Sequence, residues 1–343
     1  MSMGWKGILR TACSEILYKS WCLKETTRLR GRGGIILGYH RVLPPDHEEI
    51  ARVEPGMYVT TKTFSMQMAL LRKRYRVAGL EAIAKTGDPR GMCAVTFDDG
   101  WRDTYVHAFP ILRRYGIPAT VFLITDLLGK NTFLWPERIA AYIHRGGEQG
   151  FAQIWREIEP ALREAGVRPR GNGHARGPAW KRADSVIRTM KKLGEDRIRR
   201  VMDQVDSRMA WTLKDAGDVR RWMNWEEALE MASEGISFGS HTHTHRLLDS
   251  LGDAEIEAEL STSQVRIREE LGVWTTMLCY PNGNLSNRVK QIAKKAGFEI
   301  GVTTEAGSVR QPNDPLALRR VLVHEDMTRK ESLFAVRMFL CGG

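Results

Sequence analysis

Thiol chemistry is sparse in this sequence. Its 343 residues include five cysteines, Cys13, Cys22, Cys93, Cys279 and Cys341, and no two of them form a Cys-x-x-Cys pair. An odd, scattered set offers neither a thiolate zinc site nor a disulfide framework, and it fits a reducing compartment. Long apolar runs are also missing. Nothing approaches the roughly 18 consecutive apolar residues of a membrane-spanning helix. The N-terminal region lacks an apolar run closed by a small-residue cleavage site, so no signal peptide is expected. The expected location is cytoplasmic. No internal repeat stands out. No aromatic-interleaved basic motif is present either, so nucleic acid is not an expected partner.

What the chain does have is positive charge, unevenly placed. The formal net charge is +11. Residues 1–41 hold eight Lys/Arg against two Glu, and residues 168–200 hold eleven against three acids. Those two stretches carry more than the whole excess, which leaves the rest of the chain slightly acidic. Trp5, Ile8, Leu9, Ala12, Ile16 and Leu17 fall near one helical stripe, with Lys6, Arg10, Lys19 and Lys24 among them. Two readings stay open: a helix packed on the domain, or a basic amphipathic helix on an anionic membrane face.

From Gly34 onward, short apolar runs alternate with helical periodicity. Strands are expected at 35–40, 93–97, 119–124, 236–239, 276–280, 298–303 and 320–323, and helices at 63–75, 105–115, 225–233, 254–271 and 287–296. Such alternation predicts parallel strands with helices outside. Residues 135–222 break the rhythm and read as an insertion, with a loop at 167–178 and one helical piece at 179–202. The expected organisation is an N-terminal segment 1–33 and an α/β domain 34–343 carrying that insertion.

Polar signals cluster where the strands end. Thr96-Phe97-Asp98-Asp99-Gly100 places two carboxylates after an apolar strand, which is costly unless they are paired or bound to metal. His241-Thr242-His243-Thr244-His245 follows another strand. Helical geometry would align His241 with His245, and extended geometry would align all three. Imidazoles with a carboxylate and open positions suit a catalytic divalent metal. His243 fits a supporting role better than a ligand's. Tyr280-Pro281-Asn282-Gly283, Leu322-Val323-His324 and Gly38-Tyr39-His40-Arg41 close three further strands. Each has an ordinary structural explanation alone. Five at one edge of a barrel do not.

In their order, these motifs resemble those of the polysaccharide deacetylases (NodB homology, carbohydrate esterase family four). Tyr39-His40-Arg41-Val42 is similar to the branch that works in exopolysaccharide and surface-glycan biosynthesis. The resemblance implies a deformed (β/α) barrel with an α-rich insertion. It also implies metal-dependent hydrolysis of an N-acylated sugar. Asp99, His241 and His245 would bind the metal, with zinc expected and cobalt, nickel or manganese as alternatives. Asp98 would be the general base and His324 the general acid. A backbone N–H near Asn282 would face the oxyanion, with Tyr280, His40 and Arg320 on the substrate side. The family's third motif often reads Arg-x-Pro-Tyr; here Cys279 takes the Arg position and Asn282 the Tyr position. Another cation must then orient the base, and Arg319 and Arg320 are the candidates. No Asp-x-x-Asp-Trp run matches the usual fourth motif. The expected substrate is an N-acetylhexosamine unit of a glycan. The alternatives are a lipid-linked sugar reached through peripheral membrane contact of residues 1–33, and a non-catalytic glycan-binding relative.

Overall fold

The computed structural model describes residues 14–16, 18, 33–51, 53–167, 177–209 and 220–341. It divides into two compact units. The larger comprises the described residues of Met1–Pro45, Pro55–Lys130 and Arg221–Gly343; the smaller comprises Asp46–Glu54 and Asn131–Arg220.

The larger unit is a closed parallel barrel. Its strands are β1 (Ile35–Tyr39), β5 (Met92–Phe97), β6 (Ala119–Leu123), β7 (Ser237–Ser240), β8 (Met277–Cys279), β9 (Ile300–Ala306) and β10 (Leu318–Leu322). They pair in the ring order β1-β10-β9-β8-β7-β6-β5, and β5 pairs back with β1 from Ile35↔Cys93 to Tyr39↔Phe97. The two-residue β4 (Arg76–Val77) adds to the β5 edge, while β2 (Arg41–Leu43) and β3 (Tyr58–Thr60) form a separate parallel pair. This is the deformed barrel that the motifs imply, with seven strands in the ring.

Side chains alternate along each strand with period two. Ile36, Ala94, Phe122, Met277, Cys279, Ile300, Val302 and Leu318 share the interior cluster. Their neighbours Ile35, Leu37, Cys93, Val95, Ala119, Val121, Phe238 and Val321 pack outward. Helices α1 (Thr61–Arg74), α2 (Leu80–Lys85), α3 (Phe109–Tyr115), α7 (Trp225–Ser233), α8 (Asp253–Leu271), α9 (Asn287–Lys295), α10 (Glu325–Thr328) and α11 (Glu331–Cys341) belong to this unit. Their ends follow local chemistry. Thr60 Oγ1 caps α1 by accepting from Thr63 N, and Ser286 Oγ caps α9 by accepting from Val289 N. Asn224 and Glu227 form a reciprocal capping box on α7. α8 stops at Gly272 in the left-handed region, φ 71°. The helix expected at 105–115 starts as a π turn, Thr104–Ala108, because Pro110 has no N–H to donate.

The smaller unit contains α4 (Trp135–Glu164), α5 (Ala179–Met190) and α6 (Glu195–Arg208). Ile143, Ile154, Ile158, Val186, Met190, Val201 and Val205 form its own apolar core. The single helical piece expected at 179–202 is two helices, broken at Lys191–Gly194. α4 is kinked at Gly147, φ 57°.

Most of the N-terminal stripe lies outside the described residues. Within it, Ser14 Oγ meets Ser332 Oγ at 3.2 Å and Glu15 pairs with Lys330 at 3.1 Å. Tyr18 hydrogen-bonds to Glu331 and packs against the outer core. Among the described residues, no helix is long and apolar enough to cross a membrane.

Phe122 is fully buried, and a Cβ added at Gly239 would lie 2.6 Å from its ring. Phe122→Ala is therefore expected to lower stability by about 3–5 kcal/mol in denaturant unfolding. Gly239→Ala is expected to destabilise by overpacking, and the double variant to lose less than the sum.

Candidate active site

Period two decides which residues reach the barrel mouth. Counting on from the inward positions 36, 94 and 318, the same parity gives His40, Asp98, Arg320 and His324, and Gly239 leads to His241. Backbone strain marks the same rim. Among the described residues, the non-glycine positions with positive φ are Asp99 (77°), Thr242 (65°), His245 (64°) and Asn282 (57°). All four sit in turns after strands β5, β7 and β8. Such conformations cost roughly 1–3 kcal/mol each and persist only where surrounding structure imposes them.

Asp98 is buried, 2% exposed, and its two oxygens accept from Arg320 Nη1 at 2.7 Å and Nη2 at 2.8 Å. Arg320 is fully buried on β10, and all five of its N–H groups have partners. Besides Asp98, Nε donates to Thr303 O at 2.9 Å, Nη1 to Thr96 Oγ1 at 3.1 Å and Nη2 to Cys279 Sγ at 3.3 Å. Burial alone would raise the Asp98 carboxyl. The Arg320 charge and hydrogen bonds, with His40 and His241 nearby, outweigh it and hold the group below the ordinary carboxylate range.

Asp99 Oδ1 lies 3.3 Å from His241 Nε2 and 3.7 Å from His245 Nε2. His241 Nδ1 faces Cys279 O at 2.7 Å; donation to that carbonyl leaves the Nε2 lone pair for the cluster. One carboxylate oxygen and two imidazole nitrogens converging within 4.8 Å fit a divalent metal. A second group, Asp98, His241 and Cys279, satisfies the same distance. Its centre is taken by the Arg320 guanidinium, which bonds both Asp98 and Cys279. His243 stands apart, with Nδ1 3.0 Å from Thr125 Oγ1 and Nε2 3.9 Å from Asp126 Oδ1. The loop is pinned by buried Glu259, which accepts from the backbone of His243 at 3.0 Å and of Thr244 at 2.8 Å.

His40 Nε2 is 3.8 Å from Asp98 Oδ2. His324 is the N-cap of α10, and burial, then Arg337, lowers its pKa. A buried chain ties its backbone to β1. Tyr39 Oη donates to Gln67 Oε1 at 3.0 Å, Gln67 Nε2 to Thr328 Oγ1 at 2.9 Å, and Thr328 Oγ1 to His324 O at 2.5 Å. The exposed Asn282 donates through Nδ2 to Asn284 Oδ1 at 2.7 Å, and its carbonyl accepts from Thr304 Oγ1 at 3.2 Å.

Two expectations need correction. Tyr280 does not line the substrate side: its parity is outward, it is fully buried among Leu278, Val289 and Phe298, and Oη donates to Leu316 O at 2.9 Å. Arg320 does not touch substrate either, because no part of it is exposed. Instead it orients Asp98, the role left open by Cys279. Arg319 points outward and pairs with Glu305 at 3.4 Å. Sequence reasoning missed Gln67, Thr328 and Trp101, whose indole Nε1 donates to Asp99 Oδ2 at 2.8 Å.

Residues 85–301 match the family model described as polysaccharide deacetylase, and this chain belongs to that family. A Bacillus subtilis protein named for the same family, YxkH, is 23% identical over 234 residues, covering 68% of this chain and 52% of that protein. A shorter match of 45 residues, 44% identical, links 13% of this chain to 16% of the poly-beta-1,6-N-acetyl-D-glucosamine N-deacetylase of Staphylococcus epidermidis. The chain thus spans about half of one curated relative and a small part of the other. In fold it is similar to the Streptococcus pyogenes deacetylase PplD in complex with acetate. That match has TM-score 0.56 and 20% identity, covering 88% of this chain and 97% of that one.

Arg320→Met would leave Asp98 buried without a counter-charge. A loss of about 3–5 kcal/mol is expected in denaturant unfolding, with partial recovery on adding Asp98→Asn. Arg320→Lys, with three donors where five are used, is expected to fall between wild type and Arg320→Met.

Proposed function

We propose that this chain is a metal-dependent hydrolase that removes the acetyl group from an N-acetylhexosamine unit of a glycan or glycan precursor. The observation that carries this reading is the convergence of Asp99 Oδ1 with His241 Nε2 and His245 Nε2 beside an Asp98 carboxylate fixed by Arg320. Asp99, His241 and His245 would hold a divalent ion, zinc by preference, with cobalt, nickel or manganese as workable substitutes. Such an ion supplies Lewis acidity toward the acyl oxygen and makes water a stronger nucleophile.

The remaining chemistry belongs to the chain. Asp98 stays ionised, and Arg320 fixes its orientation, so a lone pair is available for a proton of the attacking water. The water oxygen bonds to the acyl carbon, and negative charge grows on the carbonyl oxygen. A backbone N–H of the turn at Asn282 faces that charge. When the carbon–nitrogen bond breaks, His324 gives a proton to the departing sugar amine. Burial and Arg337 make its imidazolium a stronger acid than in water. His40, beside Asp98 and partly exposed, lines the sugar pocket. The N-acetylglucosamine deacetylase among the relatives supports the sugar class. A lipid-linked sugar at the cytoplasmic membrane face would use the same chemistry, with residues 1–33 as the contact.

The reading is tested by acetate release from a panel of N-acetylated glycans with added Zn²⁺, Co²⁺ or Ni²⁺. Release is expected with at least one glycan, loss on chelation, and recovery on adding metal back. Asp99→Ala should reduce release to background, and His324→Ala should lower turnover by about 10²–10⁴-fold. Activity equal to wild type in Asp99→Ala would sink the ligand assignment. Purified protein with neither bound metal nor acetate release would favour a glycan-binding role.

A further inference from the structure

Asp99 uses its two oxygens differently. Oδ1 faces both imidazoles of the ligand cluster, whereas Oδ2 accepts the indole N–H of Trp101 at 2.8 Å. An indole nitrogen is a donor only, so this contact can form only with an oxygen lone pair. A carboxylate that chelates a cation through both oxygens must turn lone pairs of both toward it. The Trp101 bond occupies a lone pair of Oδ2 and holds that oxygen on the indole, while Oδ1 is the one that meets both imidazoles.

Trp101 is itself tightly held. It is 3% exposed, and its ring stacks on Trp222 with centroids 4.2 Å apart and planes at 28°. The Arg41 guanidinium lies 4.4 Å from the same ring, and Arg41 Nε donates to Asp103 Oδ2 at 2.7 Å. Asp103 Oδ1 accepts from Val42 N at 2.9 Å, which ties the turn after β5 to the chain after β1. The backbone is fixed as well. Trp101 and Trp222 form an antiparallel bridge, Arg102 N donates to Arg221 O at 2.7 Å, and Met223 N donates to Gly100 O at 3.0 Å. These bonds brace the two consecutive left-handed residues, Asp99 and Gly100, with φ 77° and 82°.

We propose that Trp101 is a positioning residue that restricts Asp99 to a single coordinating oxygen, with Trp222 and Arg41 fixing the indole that does so. The proposal rests on the reading of Asp99, His241 and His245 as metal ligands. Its consequence is a site with fewer protein donors, which leaves positions for water and for the acyl oxygen. A hydrogen bond to a ligating carboxylate also sets its orientation, and outer partners of this kind typically account for about 10–100-fold in metal affinity.

Trp101→Phe keeps an aromatic side chain at the position and removes the indole N–H together with the five-membered ring that carries it. Co²⁺ serves as the probe, because its visible absorption reports coordination number. In competition with a chelator, Trp101→Phe is expected to bind Co²⁺ about 10–100-fold more weakly than wild type and to change the spectrum. Wild-type affinity together with an unchanged spectrum would overturn the role of Trp101 while leaving the ligand set intact. Wild-type protein that takes up no Co²⁺ would overturn the ligand set itself, and this inference with it. A crystal structure of Co²⁺-loaded wild type tests the point without any variant. Asp99 bound through Oδ1 alone, with Oδ2 on the Trp101 indole, is the expected result; chelation through both oxygens refutes the proposal.

Discussion

The site depends on one buried ion pair. A carboxylate removed from water at the mouth of a barrel either takes up a proton or finds a cation with matching geometry. Arg320 supplies that cation from the neighbouring floor of the barrel. Its planar fork meets both oxygens of Asp98, and its other donors end on Thr303, Thr96 and Cys279. No other side chain type presents five donors in one plane. The small thiol at position 279 belongs to this arrangement. Where the related motif carries an arginine, Cys279 offers a weak acceptor and leaves room for a guanidinium arriving from β10. The charge that orients the Asp98 carboxylate arrives here from β10.

Around this pair, strained backbone marks the rim of the barrel. Asp99, Thr242, His245 and Asn282 adopt left-handed backbone that side chains other than glycine's resist. Each turn is braced from outside the rim. Glu259 on α8 gathers the backbone of His243 and Thr244, Met223 holds Gly100, and Thr304 holds the Asn282 carbonyl. Glu325 accepts from Thr60 N at 2.7 Å and Thr63 Oγ1 at 2.9 Å, linking the start of α1 to the residue after His324. Together with the Tyr39–Gln67–Thr328 chain, this places His324 by hydrogen bonds on two sides of its backbone. Satisfied polar networks of this kind fix geometry because breaking one member strands the others.

Much of the barrel was legible because each strand carries its own signal. Runs such as Cys93-Ala94-Val95-Thr96-Phe97 are apolar throughout, as strands covered on both faces must be. Asp98, Asp99, His241 and His245 stand out because polar residues directly after such runs have no routine structural use in that number. Trp101 and Gln67 carry no such mark. An aromatic residue after a turn and a glutamine within a helix look like ordinary packing until their partners, remote in sequence, are known.

The order of strands and helices and the donor types at the rim are legible in the amino-acid pattern alone. Once the inward face of each strand is known, alternation separates Arg320 from Arg319 and turns Tyr280 outward, because neighbouring residues of a strand must face opposite sides. Which cation holds Asp98, which oxygen of Asp99 faces the histidines, and which buried side chains brace them emerge only in the folded barrel. Some of those contacts join positions more than 200 residues apart, as Asp98 with Arg320 and Gln67 with Thr328. They are fixed by barrel closure, which brings β1, β5 and β10 side by side, and no local propensity encodes that adjacency.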